Sequence, residues 1–561
     1  MPERELKKRE HGSACREPGG LRWTFADGFG GLPGVLAPLL GRRETVTPQE
    51  EQLKSSAVRK VRLVEIPPDA RSGAGDLPNL ILKEHILGGP GAMMRAVLSG
   101  RPARREWTVM RHLCRAGVPV PEPLALGEPT ELLPRRSGGV LALRAVAGAV
   151  TLEDLLLGRK PLPAPARTLA DELGRIVRAM HDAAVTHPDL HAANILVSPG
   201  GALRLIDFHS AAIRTAPLPI AARLRDLTRL SGAFLMAGRR TERFRFFRAY
   251  CRGLDGMKEI RSEARTLEAT AWKRLGRFLK KHDKRPLRSG RAFLSLAVNG
   301  WRGMGENSER ATRLARLLTP RPAEILDNEG RGIKRDTSST VHSLSCNGGR
   351  YIVKVYSRPC PWQRTKAFFL GSRAQKAWIN GHRLLFRLLP AARPVLYLNQ
   401  SFFARGGRSI VVFEEAVNLP TLDRYAARAS RRALENTIDR LARTVARMHN
   451  FFLANRDLKA QNILIDGKGA PLFVDPDGVR PAPVAGLYIM ARDLMRLNAS
   501  FHHGGPVKKT DRLRFLSAYA RARRLDGEME NALRSRIAEL TKAKWDRWRC
   551  EDEKRLHPKK T

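Results

Sequence analysis

Two stretches of this chain carry the same three polar residues at the same spacing, and that repetition governs how the rest can be organised. In THPDLHAANILVSPGGALRLIDF, which begins at Thr186, Asp189 is followed five residues on by Asn194 in an apolar frame. Thirteen residues after the amide, Asp207 ends a run containing Leu203, Leu205 and Ile206. NRDLKAQNILIDGKGAPLFVD, beginning at Asn455, repeats the set as Asp457, Asn462 and Asp475. A five-residue gap lets one short loop present acid and amide to the same cleft. The thirteen-residue gap fits a hairpin with the second acid at the end of its second strand.

The surrounding residues recur in the same order. LILKEH around Lys83 reappears as YIVKVY around Lys354, Trp107 as Trp378, TLEDLL at Thr151 as TLDRYA at Thr421, and Met180-His181 as Met448-His449. LRDLTRL with Asp226 matches ARDLMRL with Asp493, FFRAY with Tyr250 matches FLSAY with Tyr519, and SSAV at Ser55 is paired with SSTV at Ser338. The offset stays near about 270 residues apart from a longer first-half hairpin. Order, spacing and residue type agree together, which is the mark of internal duplication. At 561 residues the chain exceeds a single core. The expected organisation is a lead-in over 1–50, a first domain over 51–285, a linker over 286–322, a second domain over 323–550 and a basic tail over 551–561.

Local patterns place these motifs on elements. VRKVRLVEI after Ala57 and NLILKEHI read as strands of a hairpin with a long tip, Pro67 to Pro78. Arg101 to Ala116 has helical period, with Trp107, Met110, Leu113 and Cys114 on one face. Val140 to Val146 reads as a strand, and Thr151 as the cap of a helix whose third residue is Asp154. Leu169, Leu173, Ile176, Val177 and Met180 share the apolar face of a helix. Helical segments follow from about Ala221 to His282, and the lead-in holds one apolar patch, Leu32 to Leu40.

The D-x4-N…D arrangement resembles the catalytic and metal-binding segments of the protein-kinase-like fold. Phosphoryl transfer from a nucleotide needs positioning and charge neutralisation more than covalent help. An acid takes the acceptor hydroxyl's proton, hard oxygen donors hold Mg2+ against the phosphates, and a lysine holds the outer phosphates. The first half offers Asp189 as base, Asn194 and Asp207 as metal ligands, Lys83 as clamp, and Glu106 as the carboxylate that fixes its ammonium. The second offers Asp457, Asn462, Asp475 and Lys354, with Lys459 two residues past the base, in reach of the transferring phosphoryl group, where the first half has His191. A turn-capping role for these Asp and Asn residues is the weaker reading for one copy, and weaker still for two.

Both halves resemble the lipopolysaccharide kinase family, the core heptose and Kdo kinases of bacteria. The resemblance rests on REW at Arg105 followed by GVPVPEP, on HPDLHAANIL and LIDF, and on RDLKAQNILID, FVDPDGVR, ARDLMRLNASF and RLRFLSAY. It implies an α+β fold duplicated in tandem, each copy bilobal with a small β-rich N-lobe and a larger helical C-lobe. It also implies ATP and Mg2+, and a sugar hydroxyl of lipopolysaccharide inner core, or of a similar lipid-linked glycan, as acceptor. The halves depart from the wider superfamily in several places. Neither has a G-x-G-x-x-G loop, so Ser55, Ser56, Ser338 and Ser339 are expected over the phosphates. Ala377 stands where Glu106 is expected, leaving Lys354 without its partner unless an acid from elsewhere replaces it. Asp477 is a spare acid beside Asp475, available for metal binding. His-Pro-Asp in the first half resembles sugar kinases, and Asn-Arg-Asp in the second resembles heptose and protein kinases. Asp226 and Asp493 are expected to hold the catalytic loop's backbone.

Lys plus Arg number 101 against 55 Asp plus Glu, a formal charge of +46, which favours polyanionic partners such as anionic glycolipid. Nucleic acid would explain the charge but not the two acid constellations, and no nucleic-acid-binding signature is present. The six cysteines are scattered without a C-x-x-C pair, which argues against zinc and a disulfide framework. MPERELKKRE lacks the apolar run of a signal peptide, and no apolar stretch reaches the roughly 18–20 residues of a membrane span. A cytoplasmic protein, either soluble or peripheral on the cytoplasmic face of the inner membrane, is expected. The basic, Trp-bearing segments WKRLGRFLKKHDKR from Trp272 and Lys542 to Lys560 suit either an anionic surface or packing on their own domain. Two other readings stay open: a protein or small-molecule kinase of the same fold, and one active half with a regulatory pseudokinase.

Overall fold

The computed structural model describes residues 15–17, 21–26, 29, 50–56, 58–65, 79–130, 137–253, 260–319, 322–357, 371–400, 408–483, 485–501 and 505–556. The chain divides into two compact units, Met1–Leu275 and Gly276–Thr561.

In the first unit, β1 (Cys15–Glu17), β2 (Leu21–Phe25), β3 (Glu50–Ser56), β4 (Arg59–Val64) and β5 (Leu80–Ile86) precede α1 (Pro90–Ser99) and α2 (Pro102–Arg115). β6 (Pro123–Pro129) and β7 (Ser137–Arg144) complete a seven-stranded sheet of order β1-β2-β6-β7-β5-β4-β3. The helical part carries β8 (Val150–Thr151), α3 (Leu152–Leu156), α4 (Ala166–Asp182), β9 (Val185–Thr186), β10 (Ile195–Val197), β11 (Leu203–Leu205), β12 (Ala212–Ile213), α5 (Ile220–Ala237), α6 (Arg240–Tyr250) and α7 (Ile260–His282). Pro102 opens α2 at a position whose N–H would lack a partner anyway. Thr151 caps α3 by accepting from the Asp154 N–H at 3.2 Å. The expected face of α4 is wholly buried, with Leu173, Val177 and Met180 in the core beside β10 and β11.

The second unit repeats the plan. β13 (Phe293–Val298), β14 (Trp301–Glu306), α8 (Glu309–Leu318), α9 (Pro322–Asn328), β15 (Gly330–Asp336), β16 (Ser339–Cys346), β17 (Gly349–Tyr356), α10 (Arg373–Phe386), β18 (Pro394–Gln400) and β19 (Ser409–Glu414) build the sheet part. Its order, β13-β14-β18-β19-β17-β16-β15, is the same permutation as in the first unit. α11 (Leu422–Arg428), α12 (Arg431–Asn450), β20 (Leu453–Asn455), β21 (Ile463–Ile465), β22 (Pro471–Phe473), β23 (Val479–Pro481), α13 (Leu487–Ala499), α14 (Lys509–Arg523) and α15 (Gly527–Leu556) form the helical part.

Several expectations change. The stretch 286–322 is no linker: it supplies β13, β14 and α8, and Asn299 and Gly300 close the β13–β14 hairpin with φ of 47° and 77°. An Asn-Gly pair between alternating apolar residues is the signal for such a turn. The lead-in likewise supplies β1 and β2, with Trp23 buried, and the first unit ends inside α7 rather than at 285. α15 runs through 551–556 of the expected tail. Cys114 is exposed, so α2 buries Val109 with Trp107, Met110 and Leu113 instead. Leu275 and Leu279 are buried, and the Trp545 indole donates to the Ala499 carbonyl at 3.3 Å, so both basic segments pack aromatic or apolar residues on protein. The Leu32–Leu40 patch and the 67–78 tip lie outside the described residues.

Candidate functional site

Each unit builds its site from one sheet strand, one helix and two loops. In the first, β10 and β11 pair Ile195 with Leu205, and the Ile206 N–H donates to the Asn194 carbonyl at 3.0 Å. The hairpin thereby sets Asp207 beside Asn194, as its spacing requires. Asn194 donates through Nδ2 to the Asp189 carbonyl at 2.9 Å and to Asp189 Oδ2 at 3.3 Å. Asn462 repeats this on Asp457, at 3.1 and 3.0 Å, and the Val474 N–H donates to the Asn462 carbonyl at 3.0 Å. With its NH2 group bonded to Asp189 or Asp457, each amide leaves its Oδ1 as the oxygen open to a cation.

Both second acids sit in the left-handed region, Asp207 at φ 71° and Asp475 at φ 52°. An ordinary side chain is costly there and persists where its surroundings fix it. Ala184 and Phe452, each just past the preceding long helix, share that region at φ 58° and 63°, so the backbone specials recur with the motif.

The loops hang on the expected buried acids. Asp226 accepts the His187 N–H at 2.7 Å and Asp493 the Asn455 N–H at 2.6 Å. Tyr250 and Tyr519 each meet a buried histidine Nδ1, of His181 at 2.7 Å and of His449 at 2.6 Å. Burial lowers the His187 pKa, and its neutral ring donates from Nε2 to the Ile206 carbonyl at 3.1 Å.

The lysines differ. Lys83, buried on β5, places Nζ 2.6 Å from Glu106 Oε1 and 3.8 Å from Asp207 Oδ1. The same Glu106 oxygen accepts the Phe208 N–H at 3.1 Å, and His85 Nε2 lies 3.2 Å from the other. Burial opposes ionisation of Glu106, but Lys83 and His85 outweigh it and hold the pKa at about 2. Asp207 is held well below the carboxylate range: burial is overcome by His209, Lys83 and Arg59, the last in contact with it from β4. In the second unit Ala377 indeed stands on α10 without a carboxylate, and Lys354 reaches Asp475 at 2.6 Å and Asp477 at 3.1 Å.

The serines fail as a matched pair. Register sets Ser56 against Arg59 in β3–β4 but Asp336 against Ser339 in β15–β16. Ser339 is thus the structural counterpart of Arg59, and Ser338 of Val58; the SSAV–SSTV likeness runs three residues out of phase. Ser55 is exposed, while Ser339 is buried. Arg59 and Arg373 are the residues missed by sequence: Arg59 meets Asp207, and Arg373 lies 3.4 Å from Asp477. No local pattern marks either, since both contacts span more than a hundred residues.

Among the described residues no group of three or more His, Cys, Asp or Glu is arranged to hold a metal. Each site instead offers one carboxylate and one amide oxygen, a hard-donor set that fits Mg2+ shared with phosphate and water. Gly478 bears on the second loop: a Cβ there would meet Asn455 Oδ1 at 2.5 Å and the Asp457 N–H nitrogen at 2.6 Å. Gly478→Ala is therefore expected to displace Asp457 and lower second-unit turnover about 10- to 100-fold, measured with the first unit silenced by Asp189→Asn.

The twofold pattern also appears in comparison with known proteins. The Lipopolysaccharide kinase (Kdo/WaaP) family matches residues 92–250 and 338–519, more than half of the chain and once in each unit. A 3-deoxy-D-manno-octulosonic acid kinase of Xylella fastidiosa (strain M12) is 30% identical over 142 residues, 24% of this chain and 54% of that protein. The lipopolysaccharide core heptose(I) kinase WaaP of Pseudomonas aeruginosa (strain ATCC 15692) is 33% identical over 171 residues, 28% of this chain and 63% of that protein. The chain thus spans between half and two thirds of these relatives. A solved structure described as WaaP in complex with acyl carrier protein is 27% identical, covering 40% of this chain and 88% of that one with a TM-score of 0.31. With its family match in both units, the chain belongs to the lipopolysaccharide kinase (Kdo/WaaP) family, as a tandem duplication of its α+β, kinase-like fold.

Proposed function

We propose that the protein transfers the γ-phosphoryl group of ATP to a sugar hydroxyl of lipopolysaccharide inner core, Kdo or heptose, or of a similar lipid-linked glycan, using both units. The observation that carries this is the repeated loop in which Asn194 or Asn462 is bonded to Asp189 or Asp457 beside a left-handed acid and a buried lysine. Asp189 and Asp457 take the acceptor proton, and Lys83 and Lys354 hold the outer phosphates. Asn194 with Asp207, and Asn462 with Asp475, would hold Mg2+, which supplies charge neutralisation at the phosphates. The +46 formal charge suits a phosphorylated glycolipid at the cytoplasmic face of a membrane. No described helix is long and apolar enough to cross one. ATP consumption stimulated by detergent-solubilised lipopolysaccharide or its precursors tests the reading. Equal consumption with and without every such acceptor would sink it.

The units should differ in pH response. The Asp189 carboxylate, whose Oδ1 lies 3.5 Å from His191 Nε2 and accepts from it, raises the His191 pKa, so the imidazolium persists to higher pH than in a free imidazole and is lost as pH rises past that raised value. In the second unit Lys459, 3.3 Å from Asp457, fills that place with an amine where the first unit has an imidazole. First-unit turnover, read in Asp457→Asn protein, is expected to fall on the alkaline side where second-unit turnover, read in Asp189→Asn protein, does not. Superimposable profiles would remove His191 from any role at the phosphoryl group.

A further inference from the structure

Four positions around the lysine differ between the units, and they differ as a set. The sheets fix the correspondence: Lys83 pairs with Val61 and Leu141 as Lys354 pairs with Val341 and Val411, and two residues further stand His85 and Tyr356. Glu106 and Ala377 each precede a buried tryptophan on the following helix. Phe208 and Pro476 follow the left-handed acid, and His209 and Asp477 come next.

In the first unit the helix carries the carboxylate. Glu106 takes Lys83, lies against His85 and accepts the Phe208 N–H, tying the helix to the loop. In the second the helix carries a methyl, which leaves room for the larger Tyr356 ring, and proline removes the N–H that needed an acceptor. The tie between helix and loop survives with its polarity reversed: Asn380, one turn along α10, donates to the Pro476 carbonyl at 3.0 Å. The carboxylate now stands on the loop. Asp477 Oδ2 lies 3.1 Å from Lys354 Nζ and 3.4 Å from Arg373, while Oδ1 accepts the Tyr356 hydroxyl at 2.7 Å.

We infer that Asp477 is the acid that positions Lys354 for the nucleotide phosphates, the duty of Glu106 in the first unit, so that the second unit is a working nucleotide site with its carboxylate moved from helix to loop. Lys354 also touches Asp475 at 2.6 Å, but that acid is the one a metal would engage. Asp477, held by the tyrosine hydroxyl, keeps the ammonium fixed when Asp475 turns to a cation. The inference rests on the phosphotransferase reading of the second unit, and its test separates the two.

Equilibrium dialysis of the full chain with ATP and Mg2+ counts nucleotide sites without touching the first unit. Wild type is expected to bind two equivalents and Lys354→Ala one; two equivalents in Lys354→Ala would sink the nucleotide reading of the second unit itself. Asp477→Asn is expected to weaken one site roughly 10- to 100-fold, the scale of a lost charged hydrogen bond, and saturating Mg2+ does not restore it. Rebuilding the first unit's arrangement with Tyr356→His, Ala377→Glu and Asp477→His together is expected to recover that site, an outcome a merely structural role for Asp477 would not give. Two sites of unchanged affinity in Asp477→Asn, when Lys354→Ala has lost one, overturns the inference. Restoration of Asp477→Asn by Mg2+ also overturns it, because Asp477 would then be a metal ligand. So does a triple variant with wild-type thermal unfolding that still binds only one equivalent.

Discussion

Protein carrying both Asp189→Asn and Asp457→Asn is expected to phosphorylate lipopolysaccharide acceptors about 10²- to 10⁴-fold more slowly than wild type, the range that a positioned general base contributes. Each single variant retains the share of the intact unit. The substitution is conservative where it matters for folding. The bonds from Asn194 to the Asp189 carbonyl and from Asn462 to the Asp457 carbonyl use backbone oxygen and survive it. What is lost is a carboxylate able to take a proton. Turnover in which single and double variants all match wild type would end the catalytic reading of both loops. Loss of all turnover in Asp189→Asn alone would make the second unit regulatory, with nucleotide binding through Asp477 still decided by dialysis.

Glu106→Ala is expected to cost about 3–5 kcal/mol in the first unit, because it leaves the buried Lys83 ammonium with only the longer 3.8 Å contact to Asp207 and removes the acceptor of the Phe208 N–H. Hydrogen exchange should report this locally, as lost protection over 102–115 and at Phe208. Unchanged protection there would contradict the assignment of Glu106 as the joint between helix and loop. The sign of the pH dependence follows from the depressed pKa. Glu106 ionises at about 2 when folded against 4.5 ordinarily, so its contribution is fully present above pH 4.5 and is lost as pH falls toward 2. Glu106→Gln removes that acid-sensitive component, flattening first-unit stability across the same interval.

The parts of this fold that read well from sequence are those whose determinants are local. The loop from Asp189 to Asn194, the hairpin ending at Asp207 and the buried face of α4 are set by spacing and period, and both copies state them. The edge hairpins were hidden for different reasons. β1 is three residues, Cys15 to Glu17, with no apolar alternation to detect. β13 and β14 do carry the Asn299-Gly300 turn, but they fall where the two halves seemed to be merely joined. The serine pairing failed because similarity of letters is blind to register: a three-residue slip in an edge strand leaves SSAV and SSTV alike on paper while exchanging Ser339 for Arg59 in space. Asp477 reads from sequence as a spare acid for the metal, because its contact with Lys354 closes 123 residues of chain and no local pattern marks it.

The relocated carboxylate also bears on how two such copies can drift apart. A path from the helix-borne acid to the loop-borne one passes through chains in which the lysine has no partner besides the acid meant for the metal, or in which Tyr356 and a glutamate at 377 contend for one space. A lone domain loses its nucleotide at such a step and is removed by selection; a duplicated chain goes on working through its other half. Asp477→His by itself recreates one of these stations, and it should bind a single equivalent of nucleotide while first-unit turnover stays as it was. Duplication here is therefore a shelter in which a coupled group of residues can be exchanged one at a time.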